Sequence, residues 1–473
     1  MSHPVTTFKP SAAAAPQRRW YALALICVAQ FMLILDVTVV NVALPSIGTD
    51  LHLDRQTLTW VVTAYTLVFG GLMLLGGRLA DALGARRTLL AGLVLFTLAS
   101  FASGLATSGA MLLAGRVGQG VGAALLSPAA LSIVTTTFHG AERTKALGVW
   151  AALGGIGSAA GVLLGGVLTA AAGWEWVFFI NLPVGLLLLI ALPLTIPAIA
   201  PRPARLDLPG AVLVTAATSA GIYGLVTAGD AGWTGPATLA GLGGAVLLYA
   251  AFTLVERTSR APLIDVRMLT RRPIVAGALL MLVATALLIA FFFLGSVYLQ
   301  HARGYTALTT GLMFLPVAVA TGIGAHLGSR LIGRVGGRPV AGVGLGLAAA
   351  GAGLLTGLPA DGNPWTRLLP GFVLAAAGIG AAFVAATTTA LGFIAPQEAG
   401  LTSGLVNTFH EIGGSVGVAV VSTLAAAGIE AGTTAGYDTA FTLSAITAAL
   451  AALVSLKLIP PGRPHLTGGP HVH

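Results

Sequence analysis

Asp36, Arg116 and Glu411 each stand inside an apolar run long enough to cross a lipid bilayer. A charged side chain near the bilayer centre costs roughly 2.5–3.5 kcal/mol on insertion scales, so such residues face a polar cavity or a partner. A carboxyl group held there can exchange a proton for a cation, while an arginine beside it stays charged throughout. Asp36 lies in the outer half of the first run and Arg116 in the outer half of the fourth, so the two can share one side of a central cavity, with Arg116 organising the polar cluster. Asp36 reads either as a carboxylate responsive to protons or cations, or as a structural hydrogen-bonding partner of Thr38 or Asn41. Glu411 sits near the middle of the thirteenth run beside His410. Neighbouring helix positions point about 100° apart, so the two cannot face a cavity equally. Burial disfavours a charged carboxylate, which makes Glu411 a candidate proton carrier, and an imidazole titrates near neutral pH; the alternative is a Glu411 bonded to a neighbouring helix. His326, in the tenth run, reads as a satisfied core histidine.

The composition says what carries these residues. Of 473 residues, 56% are hydrophobic and 8% charged, against about 25% charged in a soluble domain, and the mean hydropathy is +0.92. Apolar runs fall near 20–42, 58–79, 88–106, 109–135, 146–170, 176–198, 208–228, 236–255, 274–300, 308–329, 340–358, 368–394, 402–426 and 437–459. Fourteen spans of about 20 residues leave too little chain for a separate soluble domain. With a cytoplasmic N-terminus, 20 of the 24 lysines and arginines fall on the cytoplasmic side with six acids, against three basic residues and seven acids outside. That asymmetry is the positive-inside rule and predicts two cytoplasmic termini. The net charge of +9 is therefore topology and not a nucleic-acid footprint. The single cysteine, Cys27, excludes an internal disulfide or a cysteine metal cluster. No cleavable signal pattern precedes Trp20.

GGRLADALGARRTLLAG at 76–92 recurs in degraded form as GSRLIGRVGGRPVAGVG at 328–344, an offset of 252 residues. Two similar six-helix halves with a pair of helices between them account for fourteen spans. The expected divisions are a cytoplasmic tail 1–19, a bundle 20–198, two extra helices with linkers 199–273, a bundle 274–459 and a cytoplasmic tail 460–473. Such internal symmetry is typical of transporters whose halves rock about a midplane site.

Gly77, Leu79, Asp81, Gly84, Arg86 and Arg87 match the G-x-L-x-D-x-x-G-x-R-R loop of the major facilitator superfamily. Glycines permit a tight turn, and Asp81 with the arginines can form charge-assisted contacts that latch the cytoplasmic side. In the second copy Gly333 replaces the aspartate, so that latch should be weaker or absent. Leu35 to Pro45 resembles the first-helix motif of the fourteen-helix drug:proton antiporters, and Leu113 to Ala123, with Arg116, Gln119 and Gly120, resembles their fourth-helix motif. Gly148, Gly157, Gly161, Gly165 and Gly166 have the spacing of the antiporter motif in helix 5, with Val162 where the family has proline. Gly157, Gly161 and Gly165 line one face, which serves either as a hinge or as ordinary close packing. Trp174, Trp176, Phe178, Asn181, Pro183 and Gly185 resemble the segment entering helix 6, with Glu175 in place of the usual arginine, and His410-Glu411 stands where the family commonly has Arg-Gln.

The resemblance implies an all-α polytopic membrane protein with the major facilitator fold, two six-helix bundles plus two extra helices. It implies proton-coupled efflux of amphipathic, cationic or aromatic drugs across a bacterial cytoplasmic membrane by a monomer. The expected partners are a small-molecule substrate, protons and the lipid bilayer. Tyr65, Phe291, Phe292, Phe293 and Phe314 are candidates for an apolar binding wall, although most of them suit lipid-facing or core positions. Alternatives are an exporter dedicated to one metabolite or antibiotic, or an organic-anion uptake symporter using Arg116. No G-x-x-x-x-G-K-[ST] loop is present, so ATP is not the expected fuel, and Gly414 ends the H-E-x-x-H pattern begun at His410. Neither an enzyme active site nor a metal or cofactor is expected.

Overall fold

The structure, a computed structural model, describes residues 16–462 except 54, 139, 197–206, 260, 261, 263–267, 269, 358–364, 393–398 and 431–434. The described residues form fifteen α-helices. The first five are α1 (Pro16–Asp50), α2 (Arg55–Leu83), α3 (Ala85–Gly104), α4 (Gly109–Thr137) and α5 (Gly140–Ala172). The sixth apolar run is divided into a four-residue α6 (Trp176–Phe179) and α7 (Asn181–Thr195) by Ile180. Then come α8 (Leu208–Ala231), α9 (Pro236–Thr258) and α10 (Arg272–Val297), which ends in a π-helical turn, Tyr298–Ala302. The remainder are α11 (Ala307–Val335), α12 (Gly337–Leu354), α13 (Leu368–Leu391), α14 (Ala399–Glu430) and α15 (Ala435–Leu458).

Helix starts follow local chemistry. Ser108 and Thr306 accept hydrogen bonds from the amides of Met111 and Thr309, and Asp207 accepts from Gly210, each satisfying an amide that the first helical turn leaves free. Pro209, Pro236 and Pro273 occupy first turns, where no amide donor is needed. The helices mostly outrun the apolar runs at their ends because polar flanking residues continue the helix.

Ten helices among the described residues are long and apolar enough to cross a membrane. Shorter apolar stretches occupy Ala160–Ala172 and Pro209–Leu225. Outward-facing residues such as Ile190, Leu194, Val246 and Leu453 are more than 60% exposed, as expected of a lipid-facing belt.

Close packing is built on glycine, and it repeats. In the first half a Cβ on Gly92 of α3 would come within 2.7 Å of the Gly122 carbonyl oxygen of α4; in the second, one on Gly344 of α12 would come within 2.7 Å of the Gly378 oxygen of α13. Gly84 (φ 95°) and Gly336 (φ 86°) stand 252 residues apart at the same α2–α3 and α11–α12 turns, in a left-handed region that other residues reach only with strain. Apolar cores separate accordingly. One large cluster draws on α10 to α15, and two others draw on α1 to α7. The register set by Gly122 and Gly378 gives Phe372 the position in α13 that Arg116 holds in α4. Phe372 joins Phe291, Phe314 and Phe441 in an aromatic core. Phe291 and Phe314 are thus core residues of the second half.

α8 and α9 pack on each other where Gly224 meets Gly241. α8 also lies against α2, with Thr215 Oγ1 donating to the Gly71 carbonyl at 2.9 Å. A small cluster joins Leu74 of α2, Ala211 and Val214 of α8, Phe252 of α9 and Leu405 of α14, so α8 and α9 sit beside the line where α2 and α14 meet.

His326 is not a core histidine. It is exposed beside Ile323 and Leu327, because α11 turns its close-packed face, Thr321, Gly324 and Gly328, toward α13.

Gly92→Val and Gly344→Val are each expected to lower the thermal unfolding temperature in detergent, at an overpacking cost of about 1–3 kcal/mol. Gly346→Ala, whose Cβ meets nothing within 4 Å, should leave that temperature unchanged or raise it slightly.

Candidate functional site

The Asp36 side chain is fully buried and accepts three hydrogen bonds. Arg116 Nη1 reaches Oδ2 at 2.5 Å, while Gln119 Nε2 and Asn181 Nδ2 each reach Oδ1 at 2.9 Å. Ser100 Oγ accepts from Gln119 Nε2 at 2.8 Å and from Asn181 Nδ2 at 3.3 Å. Arg116 is itself fixed by Nε donating to the Val61 carbonyl at 2.8 Å and by Nη1 donating to Gln119 Oε1 at 2.9 Å. The Tyr65 ring closes one face of the guanidinium, 4.4 Å from Cζ to the ring centroid. Asp36, Arg116, Gln119, Ser100 and Tyr65 all have 0% exposure. A charge pair this dry depends on the partners that hold both carboxylate oxygens and two of the three guanidinium nitrogens.

Six elements supply the site: α1 gives Asp36, α2 gives Tyr65 and the Val61 carbonyl, α3 gives Ser100, α4 gives Arg116 and Gln119, and α7 gives Asn181. The sixth is α5, whose glycine face decides where α1 can lie. Gly157 faces Ile34, Gly161 faces Thr38 and the Leu35 carbonyl, and Gly165 faces Val39. That face is therefore close packing between α1 and α5 within the first half, and it seats the helix that carries Asp36. Gly166 is buried in the same helix; the surroundings of Gly148 lie outside the described residues. Val162 points across to α11, where a Cβ on Gly311 would come within 3.1 Å of it.

The structure thus joins Asp36 to Arg116 and leaves Asn41 out. Asn41 Nδ2 donates to the Val37 carbonyl at 2.9 Å from an exposed position, and Thr38 Oγ1 bonds back to Ile34 and Leu35 carbonyls. Neither touches Asp36, because side chains two and five positions on along a helix point away from it. Nor does Asp36 line an open cavity; it is sealed among α1, α2, α3, α4 and α7. Gln119, Asn181, Ser100 and Tyr65 complete the pair without having been assigned to it from sequence. The available signal was Gln119, three residues after Arg116 on the same helix face.

Glu411 lies apart from this network on α14. Its carboxylate Oε1 is 3.3 Å from His410 Nδ1, with the histidine side chain 41% and the glutamate 17% exposed. The glutamate packs on α2, where a Cβ on Gly70 would come within 2.9 Å of Glu411 Cβ. The missing side chain at Gly70 makes that approach possible and brings the second half against the helix that holds Tyr65. His410 lies beside Phe383, with ring centroids 5.9 Å apart.

At the loop carrying Gly77, Asp81, Gly84, Arg86 and Arg87, Arg86 Nη2 donates to the Pro193 carbonyl at 2.9 Å, capping the end of α7 together with Arg18, which donates to Leu194. Asp81 and Arg87 are exposed. Arg78, a residue sequence reasoning passed over, donates to the Pro262 carbonyl at 2.5 Å and so ties this segment to chain beyond α9.

The sequence pattern of the Major Facilitator Superfamily matches residues 26–418. The chain belongs to that superfamily. Its members are membrane transporters, and this chain is a transporter and not an enzyme. It is 39% identical over 427 residues to the puromycin resistance protein pur8 of Streptomyces alboniger, covering 89% of this chain and 83% of that protein. It is 36% identical over 460 residues to the lincomycin resistance protein of Streptomyces lincolnensis, covering 95% and 94%. The multidrug resistance protein Stp of Mycobacterium tuberculosis is 34% identical over 404 residues, covering 85% and 75%. The human organic anion transporter MFSD10 shares the fold, with a TM-score of 0.64 at 17% identity over 93% of this chain and all of that one.

Arg116→Ala, which strands the buried Asp36 carboxylate, should cost about 3–5 kcal/mol, whereas Asn41→Ala should stay within about 0.5 kcal/mol. Thermal unfolding of the purified variants in detergent checks both.

Proposed function

We propose that this protein is a proton-coupled exporter of amphipathic drugs or antibiotics, working by alternating access in a bacterial cytoplasmic membrane. The reading takes fourteen spans, two six-helix bundles over 20–198 and 274–459, an inserted pair within 199–273 and both termini in the cytoplasm. The transporter acts as a monomer with protons and a small molecule as its ligands. The observation that carries the proposal is the Asp36–Arg116 pair, sealed from solvent inside a protein of a family whose matched relatives are named for resistance and export.

A proton arriving at Asp36 cancels the carboxylate's charge and removes the attraction that holds Arg116 Nη1. Arg116 then has an uncompensated charge in a dry site, and the helices around it must move or admit water, since a lone buried charge costs several kcal/mol. Loss of the proton restores the pair. Asp36 thereby links proton occupancy to the arrangement of α1, α4 and α7. Glu411, on α14 where it packs against Gly70 of α2, is the second carboxylate able to hold a proton or to meet a cationic substrate. Substrate cation and proton compete for a carboxylate, so they cross in opposite directions. Each elementary charge moved down the membrane potential supplies about 2.3 kcal/mol per 100 mV.

A second reading, export of a single antibiotic, is favoured by the names of several relatives, each tied to one compound: puromycin, lincomycin and cephamycin. The resistance profile of expressing cells separates the two. Protection against one compound class supports narrow export, and protection against unrelated cations supports the broad form.

In proteoliposomes carrying a pH gradient, Asp36→Asn is expected to abolish gradient-driven transport, and Glu411→Gln to reduce it at least tenfold. Wild-type coupling in both variants would refute the proton-site assignment, and accumulation of the compound in intact cells would refute export.

A further inference from the structure

Tyr65 has no role in the reading above, yet its geometry is unusual for a core tyrosine. Its ring lies 4.4 Å from Arg116 Cζ, its exposure is 0%, and its hydroxyl has no hydrogen-bond partner among the described residues. A buried hydroxyl without a partner contributes nothing to holding the residue in place. What Tyr65 supplies to the site is therefore the face of its ring. Arg116 Nη2 is also without a partner, so only two of the three guanidinium nitrogens are tethered, Nε to Val61 and Nη1 to Asp36 and Gln119. Two tethers along one edge leave the guanidinium free to tilt about that edge, and the ring face is the surface that stops it.

We propose that Tyr65 is a positioning residue of the proton site: its ring holds the Arg116 guanidinium aimed at Asp36, and so sets the pH at which Asp36 exchanges its proton. The inference rests on the proton-coupled reading of Asp36. The titratable and charged groups that bear on it are Arg116 from α4, Tyr65 from α2, and Glu411 with its neighbour His410 from α14, which packs on α2 at Gly70. The elements α3 and α7 face Asp36 with the uncharged Ser100 and Asn181. Because the Tyr65 ring is the aromatic face at Arg116, its removal lets the guanidinium tilt away, weakens its grip on the carboxylate and allows the proton to bind at higher pH.

The test needs no substrate. Proton uptake by the purified full-length protein is followed with a pH-indicator dye across a range of pH, and the Asp36-dependent component is taken as the difference from Asp36→Asn. Tyr65→Leu and Tyr65→Met are expected to move the midpoint of that component alkaline by about one pH unit, the tenfold change that a desolvated cation–π contact commands. Tyr65→Phe, which keeps the ring and loses no hydrogen bond, should restore the wild-type midpoint. Should the smaller side chains misfold, phenylalanines of graded fluorination at position 65 drain the ring face of electron density at nearly constant shape, and the midpoint should climb with each fluorine. A folded Tyr65→Leu or fluorinated variant with the wild-type midpoint would overturn the proposal, as would a Tyr65→Phe shift as large as that of Tyr65→Leu. If Asp36→Asn takes up protons like the wild type, the proton-site reading has failed and the role of Tyr65 falls with it; a lost component in Asp36→Asn with an unmoved Tyr65→Leu midpoint overturns Tyr65 alone.

Discussion

A carboxylate and a guanidinium with no access to solvent constrain everything around them. Asp36 and Arg116 meet at 2.5 Å with 0% exposure, and a pair so desolvated is tolerable only when the surrounding groups satisfy its remaining valences. That requirement explains why five helices besides α1 converge on one point. The amides of Gln119 and Asn181 both donate to the carboxylate's second oxygen and to the Ser100 hydroxyl. The glycines of α5 let α1 come close enough to seat Asp36 there. Removing the charge on one member leaves the other costly, which is the physical basis of the proposed coupling between a proton and a rearrangement of helices.

The two halves share a framework and differ in what fills it. Gly84 and Gly336 turn the chain at matching positions, and Gly92 with Gly122 is echoed by Gly344 with Gly378. Where the first half holds Arg116, the second holds Phe372 within an aromatic core. The first half therefore carries a buried polar centre, and the second a packed apolar body with its acid, Glu411, at the surface that meets α2. α8 and α9 border the same α2–α14 line.

Much of this was legible in the chain because membranes impose simple rules. Apolar runs had to be helices, and the repeated Gly-Arg loops marked equivalent turns. Asp36 and Arg116 stood out because charge inside an apolar run is costly. Their partners were less visible. Gln119, Asn181 and Ser100 are uncharged polar residues of a kind common in spans, and only tertiary packing brings α3, α4 and α7 to a common point. Asn41 and Thr38 were plausible neighbours of Asp36 by sequence, but helical geometry turns them toward their own backbone carbonyls. His326 was misjudged because periodicity in a Gly- and Ala-rich helix does not reveal which face is buried; in α11 it is the glycine face. The helix-5 glycines were readable as close packing, yet nothing in their spacing named α1 as the partner.

The central claim is that a proton enters the buried pair at Asp36. Infrared difference spectroscopy of the purified protein between alkaline and acid pH reads this directly, through the C=O stretch of a protonated carboxyl group in an apolar setting. The account predicts a carboxylic acid band that appears on acidification and is lost in Asp36→Asn while persisting in Glu411→Gln. The same band at full intensity in Asp36→Asn, or no such band in the wild type across the pH range of transport, would contradict it.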